Sequence, residues 1–257
     1  MTRQTPCREL TVLSCTPRSD PTLVDLLLSP PGWSCRPGQF IMIRPPHWGM
    51  EHLWPRPFSI CDVSDEGLRI LFQIVGRGTA KLAELEPGQK AVVWGPLGRW
   101  FRTDPSRPCL ILAGGMGIAP FVMMARTGNT ENLRMLFGHR LDLRHYPYDE
   151  IAGRIPSEAM QQKSPEDITA FAQVLSERIR ALAGKGQVLA CGPEPMLRAV
   201  RRYCLEHGTD GQVSLENRMA CGVGACLGCV GKTTAGEYVQ SCVHGPAFDV
   251  RDIDLEV

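Results

Sequence analysis

Four cysteines near the end of the chain, Cys221, Cys226, Cys229 and Cys242, are spaced C-x4-C-x2-C-x12-C. Three thiolates from one tight loop with a fourth from farther along is a spacing that holds a [2Fe-2S] cluster. Gly222, Gly224, Ala225 and Gly228 stand between the first three. Residues of so little bulk let a loop close around an inorganic core and aim its N–H groups at the sulfurs. A structural zinc site with four thiolates is the competing chemistry, although a four-residue gap packed with small residues suits zinc less well. Disulfides fit poorly, because Cys226 and Cys229 are crowded together and nothing else marks secretion. With four thiolates available, His244 reads as a loop or surface histidine. Cys7, Cys15, Cys35, Cys61, Cys109, Cys191 and Cys204 are scattered without ligand spacing, and those in apolar strands read as small buried hydrophobes.

Three other stretches have the residue types of nucleotide sites. In Arg56-Pro57-Phe58-Ser59, an arginine and a serine at a strand entrance can hold a phosphate or a ring edge. In Gly76-Arg77-Gly78-Thr79, the glycines admit a close diphosphate and Thr79 can cap the following helix. Gly114-Gly115-Met116-Gly117-Ile118-Ala119-Pro120 follows the continuous apolar run Arg107 to Ala113 and precedes a helical stretch. Strand, glycine turn and helix in that order put a phosphate over the helix N-terminus, although the spacing is not G-x-G-x-x-G.

The elements that must position these residues change character along the chain. Residues 1–102 read as six short strands punctuated by Gly and Pro, enough for a small closed antiparallel barrel with one short helix, Thr79 to Leu85. Residues 103–208 read as α/β with a parallel sheet: Arg107 to Ala113, Leu133 to Phe137 and Gln187 to Cys191 are buried strands. Gly114 and Gly192, each at a strand end, could then face one crevice. Ser164, Pro165 and Asp167 form a capping-box start for an amphipathic helix that Gly184 closes. Leu141 to Lys163 shows no steady period and reads as a long connection with a short helix. Residues 209–257 are too few for their own apolar core, which a metal centre would offset.

Bulk properties narrow the partners. At 257 residues and a net charge of +1, nothing argues for nucleic acid or an electrostatic membrane anchor. The N-terminus has no apolar core with a cleavage site, and no run reaches the length of a membrane span. The expectation is a soluble, cytoplasmic protein.

Taken together with Gly95-Pro96-Leu97-Gly98, Cys191-Gly192-Pro193-Glu194-Pro195-Met196 and Ser214-Leu215-Glu216-Asn217-Arg218-Met219-Ala220-Cys221, these motifs resemble the ferredoxin-reductase superfamily. Within it the chain is similar to the electron-transfer subunits of type B dihydroorotate dehydrogenase, over nearly its whole length. The resemblance implies a multidomain protein: an antiparallel β-barrel for FAD, an α/β parallel-sheet domain for NAD(H) and a small C-terminal [2Fe-2S] module. It implies that Arg56, Pro57, Phe58 and Ser59 hold the flavin and its diphosphate, with Gly76, Gly78 and Thr79 completing the diphosphate site. Gly114, Gly115, Gly117 and Pro120 would form the nicotinamide-nucleotide turn, with Cys191, Gly192, Pro193 and Met196 lining the same cleft. Cys221, Cys226, Cys229 and Cys242 would ligate the cluster. The implied activity is oxidation of NADH for a partner flavoenzyme, an FMN-containing dihydroorotate dehydrogenase of pyrimidine biosynthesis. The same cofactors also suit a hydrogenase or a ferredoxin:NAD(P) oxidoreductase complex, and the zinc reading leaves a structural or interaction module. One stretch departs from the family: Arg154-Ile155-Pro156-Ser157-Glu158 onward lacks the acidic, glycine-rich segment that relatives carry near the dinucleotide.

Overall fold

The computed structural model describes residues 5–255. Seven strands come first: β1 (Cys7–Pro17), β2 (Leu23–Leu28), β3 (Phe40–Arg44), β4 (Arg56–Ser59), β5 (Asp62–Ser64), β6 (Gly67–Gln73) and β7 (Lys90–Leu97). They form one antiparallel sheet in the order β4-β3-β7-β1-β2-β6-β5, with helix α1 (Arg77–Ala83) between β6 and β7. Alternation of buried and partly exposed residues along β7 shows why: one face packs inward and the other meets solvent or a neighbour. The edge strands β4 and β5 are consecutive in sequence, so the sheet curls until Ile60 and Cys61 join its two ends. Ile60 N–H donates to Gln39 O (3.1 Å) and Cys61 N–H to Arg69 O (3.0 Å) across that seam. The barrel therefore has seven strands, not six, because the three-residue, polar β5 is too short to show a period.

The second part alternates strand and helix: β8 (Cys109–Gly114), α2 (Ala119–Thr127), β9 (Leu133–His139), α3 (Tyr148–Ala152), β10 (Ser157–Gln161), α4 (Pro165–Arg180), β11 (Gln187–Cys191), α5 (Glu194–His207) and β12 (Asp210–Ser214). The chain ends with β13 (Val230–Thr233), β14 (Tyr238–Gln240), α6 (Ser241–His244), β15 (Ala247–Asp249) and β16 (Ile253–Asp254). A six-stranded sheet has the order β10-β9-β8-β11-β12-β15, parallel except for β15. Every residue of β8 is buried, as a central parallel strand requires. Strand order reverses between β8 and β11, and such a switch point is where open α/β sheets bind ligands. The segment read as a long connection contains β10, a half-exposed edge strand whose sequence, SEAMQ, has no β-branched residue to announce it. β13, β14 and β16 make a third, small sheet.

Barrel and α/β part share a core. Leu23, Cys61 and Leu71 from the barrel pack with Ile111, Phe121 and Phe137. Polar links reinforce this seam: Arg126 grips Asp62 with two hydrogen bonds of 2.7 Å, and Arg69 reaches both Asp25 (2.8 Å) and Glu150 (2.6 Å). Arg18 adds a bond to Asp25 (3.1 Å) and one to Tyr146 O (3.2 Å). Asp25 thus serves two guanidinium groups that are about one-fifth exposed. Asp25→Ala leaves both without that carboxylate and is expected to lower stability by about 2–3 kcal/mol. Urea unfolding followed by tryptophan fluorescence measures it, and a change under about 0.5 kcal/mol, within the range of surface ion pairs, contradicts the assignment.

Candidate redox centre

The cysteine loop runs from β12 to β13 and carries three of the four cysteines, while Cys242 sits in α6. The thiols are associated in two pairs: Cys221 interacts with Cys226, and Cys229 with Cys242. Among the described residues no three His, Cys, Asp or Glu side chains surround a single metal position.

Backbone N–H groups aim at the sulfurs, as the small residues of the loop allow. Cys221 Sγ accepts from Val223 N and Cys226 N (both 3.4 Å), Cys226 Sγ from Gly228 N (3.4 Å) and Cys242 Sγ from Gly224 N (3.2 Å). Burial opposes ionisation of Cys221, but the N–H donors outweigh it and bring its pKa down to about 7. Cys242 is pushed the other way by burial and by Cys229 beside it. Cys229 and Cys242 are buried, Cys221 is half-buried and Cys226 is exposed, so the site has an inner and an outer edge.

The inner edge rests on the barrel. Cys229 and Cys242 pack with Phe40, Met42 and Leu97 on β3 and β7. Gly222 adopts φ +72°, and a Cβ there would lie 2.4 Å from Met42 Cγ. Trp94 Nε1–H donates to Cys221 O (3.2 Å), tying the loop to β7. Behind the cysteines, Asn217 Nδ2 donates to Cys229 O (3.2 Å) and to Ser241 Oγ (2.9 Å), while Ser241 N–H donates to Cys229 O (2.9 Å). Trp94, Asn217 and Ser241 position the loop, and nothing in their local sequence assigns them that role. His244 is half-buried, with Nδ1 unpartnered in the protein.

A cleft of about 480 Å3 separates the loop from the first nucleotide motif, lined by Arg44, Trp54, Pro55, Trp94, Cys221 and Val223. Arg56, Pro57, Phe58 and Ser59, the residues of β4, begin directly after Pro55 and are all half-buried. The structure brings Arg56 to the other motif of the barrel, for a Cβ on Gly78 would lie 2.3 Å from the Arg56 Nε. Arg56 otherwise donates to the Trp54 and Pro55 carbonyls, and burial lowers its pKa, as for a desolvated cation without a counter-charge. Gly76, by contrast, faces open space. Thr79 does not sit at the cap position. From the third residue of α1 its Oγ1 reaches back to accept from Val75 N (2.9 Å) and Gly76 N (3.1 Å). These bonds fix the turn before α1, and the site offers an anion one guanidinium with room above Gly76.

At the switch point, Ala113 is registered beside Cys191, which brings the glycine turns together. A Cβ on Gly117 would lie 2.1 Å from Cys191 O, and one on Gly192 would lie 3.0 Å from Gly114 Cα. Pro193 and Met196 close over Gly114, each 2.8 Å from its Cβ position. Gly115 adopts φ +53° with nothing within 4 Å, and Pro120 lies in the first turn of α2. The eight residues expected here are thus one surface with an open face at Gly115, suited to backbone approach by a phosphate.

A curled antiparallel barrel, a switch-point α/β sheet and a cysteine loop seated between them define a ferredoxin-reductase-type fold. In keeping with this, the chain superposes on the NADH-dependent reduced ferredoxin-NADP oxidoreductase with a TM-score of 0.80 at 24% identity, covering 96% of this chain and 90% of that one. A family model for the iron-sulfur cluster binding domain of dihydroorotate dehydrogenase B matches residues 216–254. The electron transfer subunit of dihydroorotate dehydrogenase B (NAD(+)) from Clostridium perfringens is 33% identical over 224 residues, which are 85% of this chain and 87% of that one. Its counterpart from Caldanaerobacter subterraneus subsp. tengcongensis is 31% identical over 221 residues, 84% and 86% of the two chains. The chain belongs to the family of dihydroorotate dehydrogenase B electron transfer subunits.

The seat of the loop gives a direct test. Met42 is fully buried, its Cγ near the base of the side chain meets the added Cβ, and Gly222 holds a positive φ, so Gly222→Ala must lift the loop or strain the barrel. We expect the variant to lose most of its bound iron and acid-labile sulfide and about 1–3 kcal/mol of stability. Full retention of both on metal and sulfide analysis contradicts this seating.

Proposed function

We propose that the chain takes electrons from a reduced nicotinamide dinucleotide, NAD(H) by the family's naming, and passes them through FAD and a [2Fe-2S] cluster to a catalytic dihydroorotate dehydrogenase subunit that contains FMN. Backbone N–H groups aimed at the thiols of Cys221, Cys226 and Cys242, with Cys229 and Cys242 packed against the barrel, carry this reading. A flavin accepts two electrons as hydride and returns them singly while a two-iron centre carries one, so the pair when bound links hydride chemistry to single-electron transfer.

The work of the protein's own residues is holding and shielding, with no acid or base required. In this reading Arg56 neutralises the flavin diphosphate while Gly76 and Gly78 leave room for it, and Pro57, Phe58 and Ser59 flank the ring. Gly114, Gly115, Gly117 and Pro120 receive the dinucleotide, with Cys191, Gly192, Pro193 and Met196 as the wall of its cleft. The four cysteines hold the cluster, their N–H donors stabilise its negative charge, and Trp94 and Met42 keep water from its inner edge.

The proposed units are residues 1–102 for FAD, 103–208 for the dinucleotide and 209–257 for the cluster, the last lending β12 and β15 to the α/β sheet. Val223, Leu227 and Val243 expose apolar surface around the outer cysteines, with Trp54 across the cleft, and this rim is the proposed seat of the catalytic subunit. Among the described residues no helix is long and apolar enough to cross a membrane, and the proposed setting is the cytoplasm.

Anaerobic titration with reduced dinucleotide should bleach flavin and cluster absorbance together, with about two irons and two sulfides per chain. Unchanged spectra would overturn the proposal. Gly78→Ala isolates the flavin's share. Its Cβ displaces the flexible Arg56 without disturbing the fold, so FAD affinity should fall about tenfold to a hundredfold while the iron content stays the same. FAD bound as tightly as in the parent chain would remove Arg56 from the site.

A further inference from the structure

Residues 45–55 leave the barrel between β3 and β4 and return beside the cysteine loop. Their base is anchored. Trp48 is buried in the barrel core, and Arg44 donates to Trp48 O and, from Nε, to His52 O (3.4 Å). The tip has less support. Leu53 and Trp54 are about half exposed on the wall of the cleft that faces Cys221 and Val223. Among the described residues, the only hydrogen bonds to the Trp54 and Pro55 carbonyls come from Arg56 Nη1.

Arg56 divides its donors between two neighbours. Nη1 faces the tip, whereas Nε and Nη2 both lie 2.3 Å from the position a Cβ would take on Gly78. The Trp48 ring backs the group, its centroid 5.6 Å from Arg56 Cζ. A guanidinium is rigid and planar, so its edges cannot turn independently. Nε and Nη2 form a fork that matches two oxygens of a phosphate, and among the described residues neither atom donates to a protein group. One side chain thus spans the first nucleotide motif and the wall of the cleft beside the cysteines.

A phosphate held by that fork fixes the plane of the guanidinium, and with it the direction of both Nη1 bonds to the tip. Bonds made by a neutralised, oriented group reinforce one another. We propose that Arg56 couples the flavin diphosphate to Trp54, so that filling the flavin site orders the rim on which the catalytic subunit docks. Arg56 is then a positioning residue for the docking rim as well as a holder of the flavin. This rests on the proposed flavin and docking sites. Such coupling is reciprocal: FAD raises the affinity of the chain for the catalytic subunit, and the catalytic subunit raises its affinity for FAD by the same factor.

Calorimetry of the full, cluster-bearing chain with the dihydroorotate dehydrogenase catalytic subunit tests this without electron transfer, comparing the chain stripped of flavin, loaded with riboflavin and loaded with FAD. Riboflavin carries the ring without the diphosphate. FAD should tighten the complex about tenfold or more, and riboflavin should leave it within about twofold of the stripped chain. Arg56→Lys keeps a charge but loses the fork, so saturating FAD should no longer tighten its complex. Equal affinity with and without FAD overturns the coupling and leaves both sites standing. The full gain with riboflavin overturns the route through the diphosphate, and a gain retained in Arg56→Lys overturns the assignment to Arg56. Failure of FAD to bind the parent chain overturns the flavin site itself, and failure of the catalytic subunit to bind overturns the docking rim.

Discussion

A cysteine loop whose valine and leucine, Val223 and Leu227, both face outward has too little buried apolar surface to order itself, so the geometry of this redox site depends on a seat supplied from elsewhere. The barrel supplies it through Met42, Phe40 and Leu97, against which Gly222, Cys229 and Cys242 pack. Close approach of Gly222 to a fully buried methionine is possible only without a Cβ, and the same residue needs φ +72° to turn the chain. Trp94 fixes the remaining freedom by bonding to Cys221 O. Once the loop is seated, its N–H groups have only one set of sulfurs to face. The outer wall of the barrel is thus as much a part of the cluster site as the cysteines themselves.

Glycine serves the two proposed nucleotide sites by the same steric rule with different consequences. At Gly78 the missing Cβ makes room for a mobile guanidinium, so the position governs where a charge sits. At Gly117 it makes room for the backbone carbonyl of Cys191, which cannot move without parting β8 from β11. The first position tunes a site within a stable barrel, whereas the second holds the switch point of the sheet together.

Features whose chemistry is local were legible in the sequence. The cysteine spacing, the apolar β8 and β11, and the Ser164 cap of α4 each carry their signal within a few residues. The close approach of Gly114 to Gly192 followed from two glycine turns ending two parallel strands. Features defined by distant partners were not legible. Trp94 is an ordinary strand residue until Cys221 arrives 127 positions later, and Asn217 and Ser241 gain their roles only by bracketing Cys229. Thr79 does cap α1, but from inside the helix, where its Oγ1 reaches back to the Val75 and Gly76 N–H groups. β10 carries no local signal, because an edge strand needs neither β-branched residues nor a buried face.

Leu227 shows how the outer edge of the site is set. It holds φ +56°, the left-handed region that a branched side chain avoids at a cost of about 1–2 kcal/mol. It does so beside Gly228, whose N–H must point back at Cys226 Sγ. The strain therefore keeps one N–H on the most exposed of the four thiols. It also turns the Leu227 side chain outward, leaving it more than half exposed among Val223 and Val243. One backbone choice both stabilises charge at the outer cysteine and presents apolar surface next to it. The exposed edge is thus set by the loop's own backbone, while the buried edge belongs to the barrel.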